Sequence, residues 1–322
     1  MEQQAHEYRI ERYSAGKQSE WDSFVGTCRN GTFLHMRGYM DYHADRFSDH
    51  SLMFYRKAEL VAILPAHTKE EYFCSHNGLT YGGMLLADGT TTAEVLHLFD
   101  MAKDYIRANT AATKLIYKPT PHIYHRYPCE EDLYALFRSS ATLIERKVSS
   151  AIPLEKPIPI GGRRRLTGSV RSKLNIVEKN DFSTFWKILD ERLQSKYNVA
   201  PVHSLEEITM LKERFPENIR LFCVTDNDDN TLGGVVLFIT GNVVHMQYSA
   251  TTEEGRRISA LDHLYEYLIN TLSADRKYFD FGISVEDGGH YLNTGLIAYK
   301  ERLGGRAVVY DTYVIDLKEN GR

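Results

Sequence analysis

The sequence predicts an α/β protein with mixed (α+β) sheets, made of one domain repeated in tandem. Three observations predict this class. First, Val243 to Gly282 reads as strand, loop, helix, strand, which is one βαβ unit. Second, one order of elements (helix, helix, hairpin, third strand, loop, helix, strand) occurs twice, about 150 residues apart, a spacing too long for a solenoid repeat. Third, the proline- and glycine-bearing run Pro153 to Gly162 lies between the copies and suits a linker. The expected domains are 1–155 and 156–322.

In the first copy, Tyr8 to Tyr13 alternates weakly and reads as a strand. Ser19 to Asp22 reads as a capping box opening a helix that carries Trp21, Phe24 and Val25, with a break at Asn30-Gly31. Met36 to Phe47 reads as a second helix. Ser51 to Arg56 and Leu60 to Ala66 form a hairpin, and Glu71 to Ser75 is a third strand. Tyr81-Gly82-Gly83 is a loop. Thr91 or Thr92 caps a helix with Val95, Leu98, Phe99, Ala102 and Ile106 on one face, and Lys114 to Lys118 is the strand after it.

In the second copy, Asp181 to Tyr197 is a helix and Ser204 to Glu207 a capping box opening the next. Ile219 to Val224 and Gly233 to Thr240 form a hairpin, followed by the strand Val243 to Tyr248. Thr251 to Arg257 reads as a loop and Ser259 to Asp262 as the box opening the βαβ helix, whose apolar positions include Leu261, Leu264, Leu268 and Leu272. The segment closes with the strand Lys277 to Gly282, a polar loop from Ser284 to Thr294, and a last strand from Ala307 to Leu317.

Composition bounds the function. The chain has 322 residues, 43% hydrophobic and 25% charged, which suits a folded globular chain. A net charge of −4 disfavours bulk attraction to a nucleic-acid backbone, leaving only a local basic groove for such a partner. The four cysteines are scattered, which fits reduced thiols and a cytoplasmic setting. No signal peptide and no membrane-spanning apolar run is read. His122, His125 and Cys129 are grouped, but no second ligand pair accompanies them, so no metal is expected. There is no G-x-S-x-G, Walker or H-E-x-x-H motif.

Three segments in this order carry a resemblance: the basic run Gly162-Arg163-Arg164-Arg165 to Lys173, the strand Tyr278-Phe279-Asp280-Phe281-Gly282, and Gly295-Leu296-Ile297-Ala298-Tyr299-Lys300 with Gly304-Gly305. Together they resemble the tandem GNAT-fold acyltransferases of the FemAB-like group, over nearly the whole chain. The resemblance implies two GNAT-like domains and transfer of an acyl group to an amine. The donor would be acyl-CoA, or aminoacyl-tRNA as in members that build peptidoglycan cross-bridges. The acceptor would be an amine on a small molecule, peptide or sugar precursor, with nucleic acid a partner only if the donor is tRNA. One departure stands out: Gly255-Arg256-Arg257-Ile258-Ser259-Ala260 offers a single glycine, out of register with the R/Q-x-x-G-x-G/A loop that holds the CoA pyrophosphate. The rival expectation is therefore a binding module with a degenerate cofactor site.

Candidate residues follow. Lys300 matches the family lysine that steadies negative charge; the bland alternative is a solvated lysine beside Glu301 and Arg302. Asp280 shares a strand face with Tyr278 and Gly282, either presenting a carboxylate to the cleft or pairing with an arginine at a sheet surface. Glu286 serves as a base if burial raises its pKa. His203 precedes a capped helix and is a base near neutral pH or a structural histidine. Tyr248 ends a central strand, as a proton donor or a core residue. Arg256, Arg257 and Ser259 stand before the βαβ helix, where paired arginines suit phosphate. Asn293 and Tyr299 are assigned to the acceptor wall. Backbone N–H groups where the strands part would stabilise the oxyanion.

Overall fold

The computed structural model describes residues 7–155, 173–273 and 275–318. The chain forms two compact units. The first comprises 1–148, 287–291 and 309–322; the second comprises 149–286 and 292–308. The basic run at 163–165 and most of the expected linker lie outside the described residues.

In the first unit, β1 (Tyr8–Arg12) leads through a 3₁₀ turn at Ala15–Lys17 into α1 (Gln18–Thr27). Ser19 therefore lies inside the helix. The preceding turn already supplies the helical start, and no side chain caps it. The expected helix from Met36 to Phe47 is broken into α2 (Arg37–Met40) and a 3₁₀ turn at Asp41–His43. The buried Arg37 guanidinium ties to Asp41 one turn on and, at 2.9 Å, to Asp49 of β2 (Ser48–Asp49), which draws the following strand back against the short helix. The hairpin forms as expected from β3 (Leu52–Arg56) and β4 (Glu59–Leu64). The third strand is a smaller hairpin, β5 (His67–Lys69) and β6 (Tyr72–Cys74). After β7 (Leu85–Leu86), Thr91 caps α3 (Thr92–Asn109) through a true capping box with Glu94. Its Val95, Leu98, Phe99, Ala102 and Ile106 are buried against β4, β6 and β8 (Lys114–Tyr117). Two further elements lie beyond the expected order: α4 (Glu131–Arg138) and the long β9 (Thr142–Pro153).

The strands β6 and β8 run parallel from Tyr72↔Lys114 to Cys74↔Ile116. Beyond that point the chain's own loop closes the space. Ser75 N donates to Ile116 O, Lys118 N to Ser75 Oγ at 2.8 Å, and Gly82 N to Lys118 O at 2.9 Å. Gly82 packs so tightly that a Cβ there would lie 2.2 Å from Ser75 O.

In the second unit, β10 (Asn175–Lys179), also outside the expected order, edges a sheet of order β10-β11-β12-β13-β14-β9. Its members are β11 (Ile219–Thr225), β12 (Thr231–Ile239), β13 (Val243–Thr251) and β14 (Tyr278–Ile283), with 149–153 of β9 at the far side. α5 (Ser183–Tyr197) and α6 (Leu205–Arg214, capped by Ser204 with Glu207) precede the hairpin as expected. The expected loop at 251–257 is instead a short helix, α7 (Glu253–Arg257), because Thr252 caps it by accepting from Gly255 N. α8 (Ala260–Tyr267) follows and ends in a π turn at Leu268–Leu272. Leu264, Tyr265, Leu268 and Ile269 bury against Val235, Leu237, Val244, Phe279 and Phe281, which fixes one face of the sheet. The polar loop at 284–294 is ordered as β15 (Val285–Glu286), a 3₁₀ turn, and β16 (Tyr291–Leu292), leading into α9 (Thr294–Arg302). The last strand, β17 (Arg306–Asp316), belongs to the first unit from Val309 onward and pairs there with β8, from Tyr313↔Tyr117 to Asp316↔Lys114.

Candidate active site

In the second unit the parallel strands of the βαβ motif stay together for three pairs only, Val243↔Tyr278, Val244↔Phe279 and His245↔Asp280. Two irregularities then draw them apart. On the β12 side of β13, Val236 faces Tyr248 while Leu237 faces Met246, so Gln247 is an extra residue, a bulge that bends the strand. On the β9 side of β14 the register shifts between Asp280 and Ile283, where Gly282 takes a left-handed φ of 76°. From Met246 onward β13 has no strand on that edge among the described residues, so its backbone donors there face a gap. Backbone N–H groups along an edge that lacks a neighbouring strand are what a developing oxyanion requires.

At the apex of the gap lies Asp280, fully buried. It accepts from Ser149 Oγ at 2.5 Å, His245 Nδ1 at 2.8 Å and Gly282 N at 3.1 Å. Its face of β14 is the one expected, opposite Phe279 and Phe281, and its basic neighbours among the described residues include a histidine and a lysine. The lysine is Lys300. It is 4% exposed, which removes the solvated-surface alternative. Its ammonium donates to Gly282 O and Ile283 O, both at 2.8 Å. Burial pushes it down to about 8, against the pull of the Asp280 carboxylate. α9 aims it there, and Asn293 starts that helix by accepting from Leu296 N at 3.0 Å.

The other candidates fall into separate groups. His203, buried, shares a 2.6 Å bond from Nδ1 with the Tyr248 hydroxyl, and Trp186 packs edge-on against the Tyr248 ring at 5.2 Å. This pair ties the segment before α6 to β13. Glu286 is exposed and touches Asn293 at 3.4 Å, so the burial that would make it a base is absent. Asn293 caps α9 through its side chain. Tyr299 turns away from the gap and donates to Asp262 Oδ1 at 2.7 Å, tying α9 to α8.

The phosphate reading of the segment before α8 fares worst. Arg256 and Arg257 are ion-paired within α7 to Glu253 and Glu254. Ser259 has a left-handed φ of 58° and caps nothing, so the expected box does not form. The one glycine, Gly255, is pressed against β12: a Cβ would come within 2.2 Å of Leu232 O. A glycine that serves packing is not free to cradle a pyrophosphate. The residues present do not fit that group here. Among the described residues no set of three His, Cys, Asp or Glu side chains is placed to hold a metal ion.

His245 and Ser149 are absent from the candidates that sequence reasoning selects. A parallel register laid over the βαβ unit would have set His245 beside Asp280, since Val243, His245 and Gln247 share one strand face before the bulge.

Residues 161–301 match the family model described as an acetyltransferase (GNAT) domain. No curated protein matches the sequence. Several solved structures share the fold across nearly the whole chain. A FemX crystal structure aligns with a TM-score of 0.66 at 13% identity, covering 94% of this chain and 96% of that one. The C-terminal domain of a putative lysylphosphatidylglycerol synthetase from Agrobacterium fabrum gives 0.57 at 10%, covering 94% and 92%. A tandem GNAT protein from the clavulanic acid biosynthesis pathway gives 0.54 at 11%, covering 98% and 100%. The chain thus has a tandem GNAT, FemAB-like fold, whose second half carries the match to the GNAT domain model.

Proposed function

We propose that the second unit transfers an aminoacyl group from an activated ester to an amine acceptor, a peptide or sugar precursor of envelope or polysaccharide synthesis. The observation that carries this reading is the parting of β13 and β14 directly beyond His245↔Asp280, with Lys300 clamped at its edge. The gap offers backbone donors to a carbonyl oxygen, and a neutral amine held there attacks the carbonyl carbon with the advantage of proximity. The ester donor, aminoacyl-tRNA, is favoured over acyl-CoA because α7 replaces the pyrophosphate loop. Likeness to the FemAB-like group, some of whose members take aminoacyl-tRNA, points the same way.

A donor screen tests the proposal. The full chain is offered aminoacyl-tRNA, acetyl-CoA and longer acyl-CoA, with thermal stability and transfer to a primary amine as readouts. A ligand at a hundred times its Kd stabilises by about 2.7 kcal/mol. Stabilisation and transfer with charged tRNA alone support the reading. Turnover with acyl-CoA would keep the transferase and overturn the donor. Binding with no transfer from any donor would favour the rival reading of a binding module, which the missing loop otherwise recommends.

A further inference from the structure

We propose that His245 is the base that takes the proton from the attacking amine, and that Asp280 and Ser149 are the positioning residues that make it one. This rests on the transfer reading above and assigns the proton-handling group within the same site.

The geometry carries the argument. His245 and Asp280 form the last pair before β13 and β14 separate, so the imidazole lies beside the point of parting, against Asp280 and Gly282. Asp280 is wholly enclosed, whereas the His245 side chain keeps 14% of its surface open. The carboxylate collects donors: the Ser149 hydroxyl and the Gly282 N–H both reach Oδ1, and His245 Nδ1 reaches Oδ2. A carboxylate so placed is an acceptor toward the ring, so Nδ1 carries the hydrogen and Nε2 keeps its lone pair. Nε2 has no hydrogen-bond partner among the described residues. The ring is hemmed on its Cε1 edge by Gly282, where a Cβ would stand 3.5 Å away. His203 is poorly suited to the same role, because it is enclosed and its Nδ1 is engaged with Tyr248.

The step balances. The amine nitrogen forms a bond to the acyl carbon and gives a proton to His245 Nε2. The bond from that carbon to the leaving ester oxygen breaks. The imidazolium returns its proton to that oxygen, leaving an amide, an alcohol and a neutral His245. Lys300, held on Gly282 O and Ile283 O near the same carboxylate, adds a positive charge at that edge of the gap.

The test joins kinetics to spectroscopy on the full chain. His245→Ala should lower kcat about 10²–10³-fold with KM for the donor little changed, and added imidazole should restore part of it. Nitrogen NMR of the wild type should show the Nδ1–H tautomer at His245. Asp280→Asn should shift it toward Nε2–H, and Ser149→Ala, a milder change, should broaden the distribution while the fold persists. If the wild type turns over a donor and His245→Ala is as fast, the inference fails and the transfer reading stands. A wild-type Nε2–H tautomer would also overturn it. If the wild type transfers from no donor, the transfer reading fails and takes the base role with it.

Discussion

Lys300 joins stability and chemistry in one side chain. Its ammonium donates to two carbonyls at the point where β14 leaves the sheet, so removing it takes a charged donor from both. Lys300→Met should therefore cost about 1–3 kcal/mol of stability as well as most of the turnover. Urea denaturation read beside kcat separates the two losses. Were stability unchanged, the lysine would not be clamped as described. This residue is legible in sequence because its segment has a recognisable composition. His245 is not, because its meaning depends on a partner 35 residues away that only the strand register brings near. Glu286, Asn293 and Tyr299 have the chemical type of site residues. The structure uses the last two to fasten a helix, a role that residue type alone does not distinguish from binding.

The element that matters most for the site is α9, since it carries Lys300 from an Asn293 cap. Asn293→Ala should cost about 1 kcal/mol and lower turnover, because fraying the first turn loosens the lysine. Ser204→Ala removes an equivalent cap from α6 at a similar cost of about 1 kcal/mol and should leave turnover almost intact. Equal activity in the two variants would show that α9 does not set the Lys300 position. Capping shows where local reading works. The cap at Thr91 and the box at Ser204 form as expected, since cap and helix lie within one turn of sequence. Ser19 and Ser259 have the same lettering and do not cap, one because a preceding turn starts the helix, the other because its backbone is left-handed. β9 and β10 escape sequence reading for the opposite reason. β9 begins with exposed residues and is held by pairing with a strand some 130 residues later, as the Ser149–Asp280 bond (131 residues apart) illustrates, so its order comes from partners and not from its own pattern.

At the scale of the molecule, the first unit carries a set of enclosed histidines that governs its response to acid. The His76 ring lies 5.2 Å from His43 and 5.3 Å from His67, with Phe47 packed against all three, and each histidine is nearly inaccessible. Burial pushes His67 down to about 4 and His76 to about 2, with the Lys118 ammonium adding to both. His35, also buried, is pushed to about 4. The unfolded chain protonates these rings near their ordinary value of about 6.5, while the folded unit resists until about 4. Over that window the unfolded state binds more protons, so stability falls as pH falls. Each ring contributes a slope of roughly 1 kcal/mol per pH unit. Melting temperatures between about pH 7 and pH 4.5 should drop steeply, and His76→Phe should flatten the curve; an unchanged slope would mean that the rings are hydrated. None of the described helices is long and apolar enough to cross a membrane. The tandem order of elements is legible because hydrophobic period and turn residues are local signals. Which copy has an open gap is not, since both carry the same sequence of strands and helices.

That difference has an evolutionary corollary. In the first unit, residues 75–82 lace the space between β6 and β8 with main-chain bonds, and Gly82 fills what remains. Apart from the Ser75 hydroxyl, that seam is made of peptide groups, which side-chain exchange leaves in place. Libraries limited to point substitutions should thus yield altered reactivity only from the later copy, and awakening the earlier one would demand deletion or rerouting of the backbone itself.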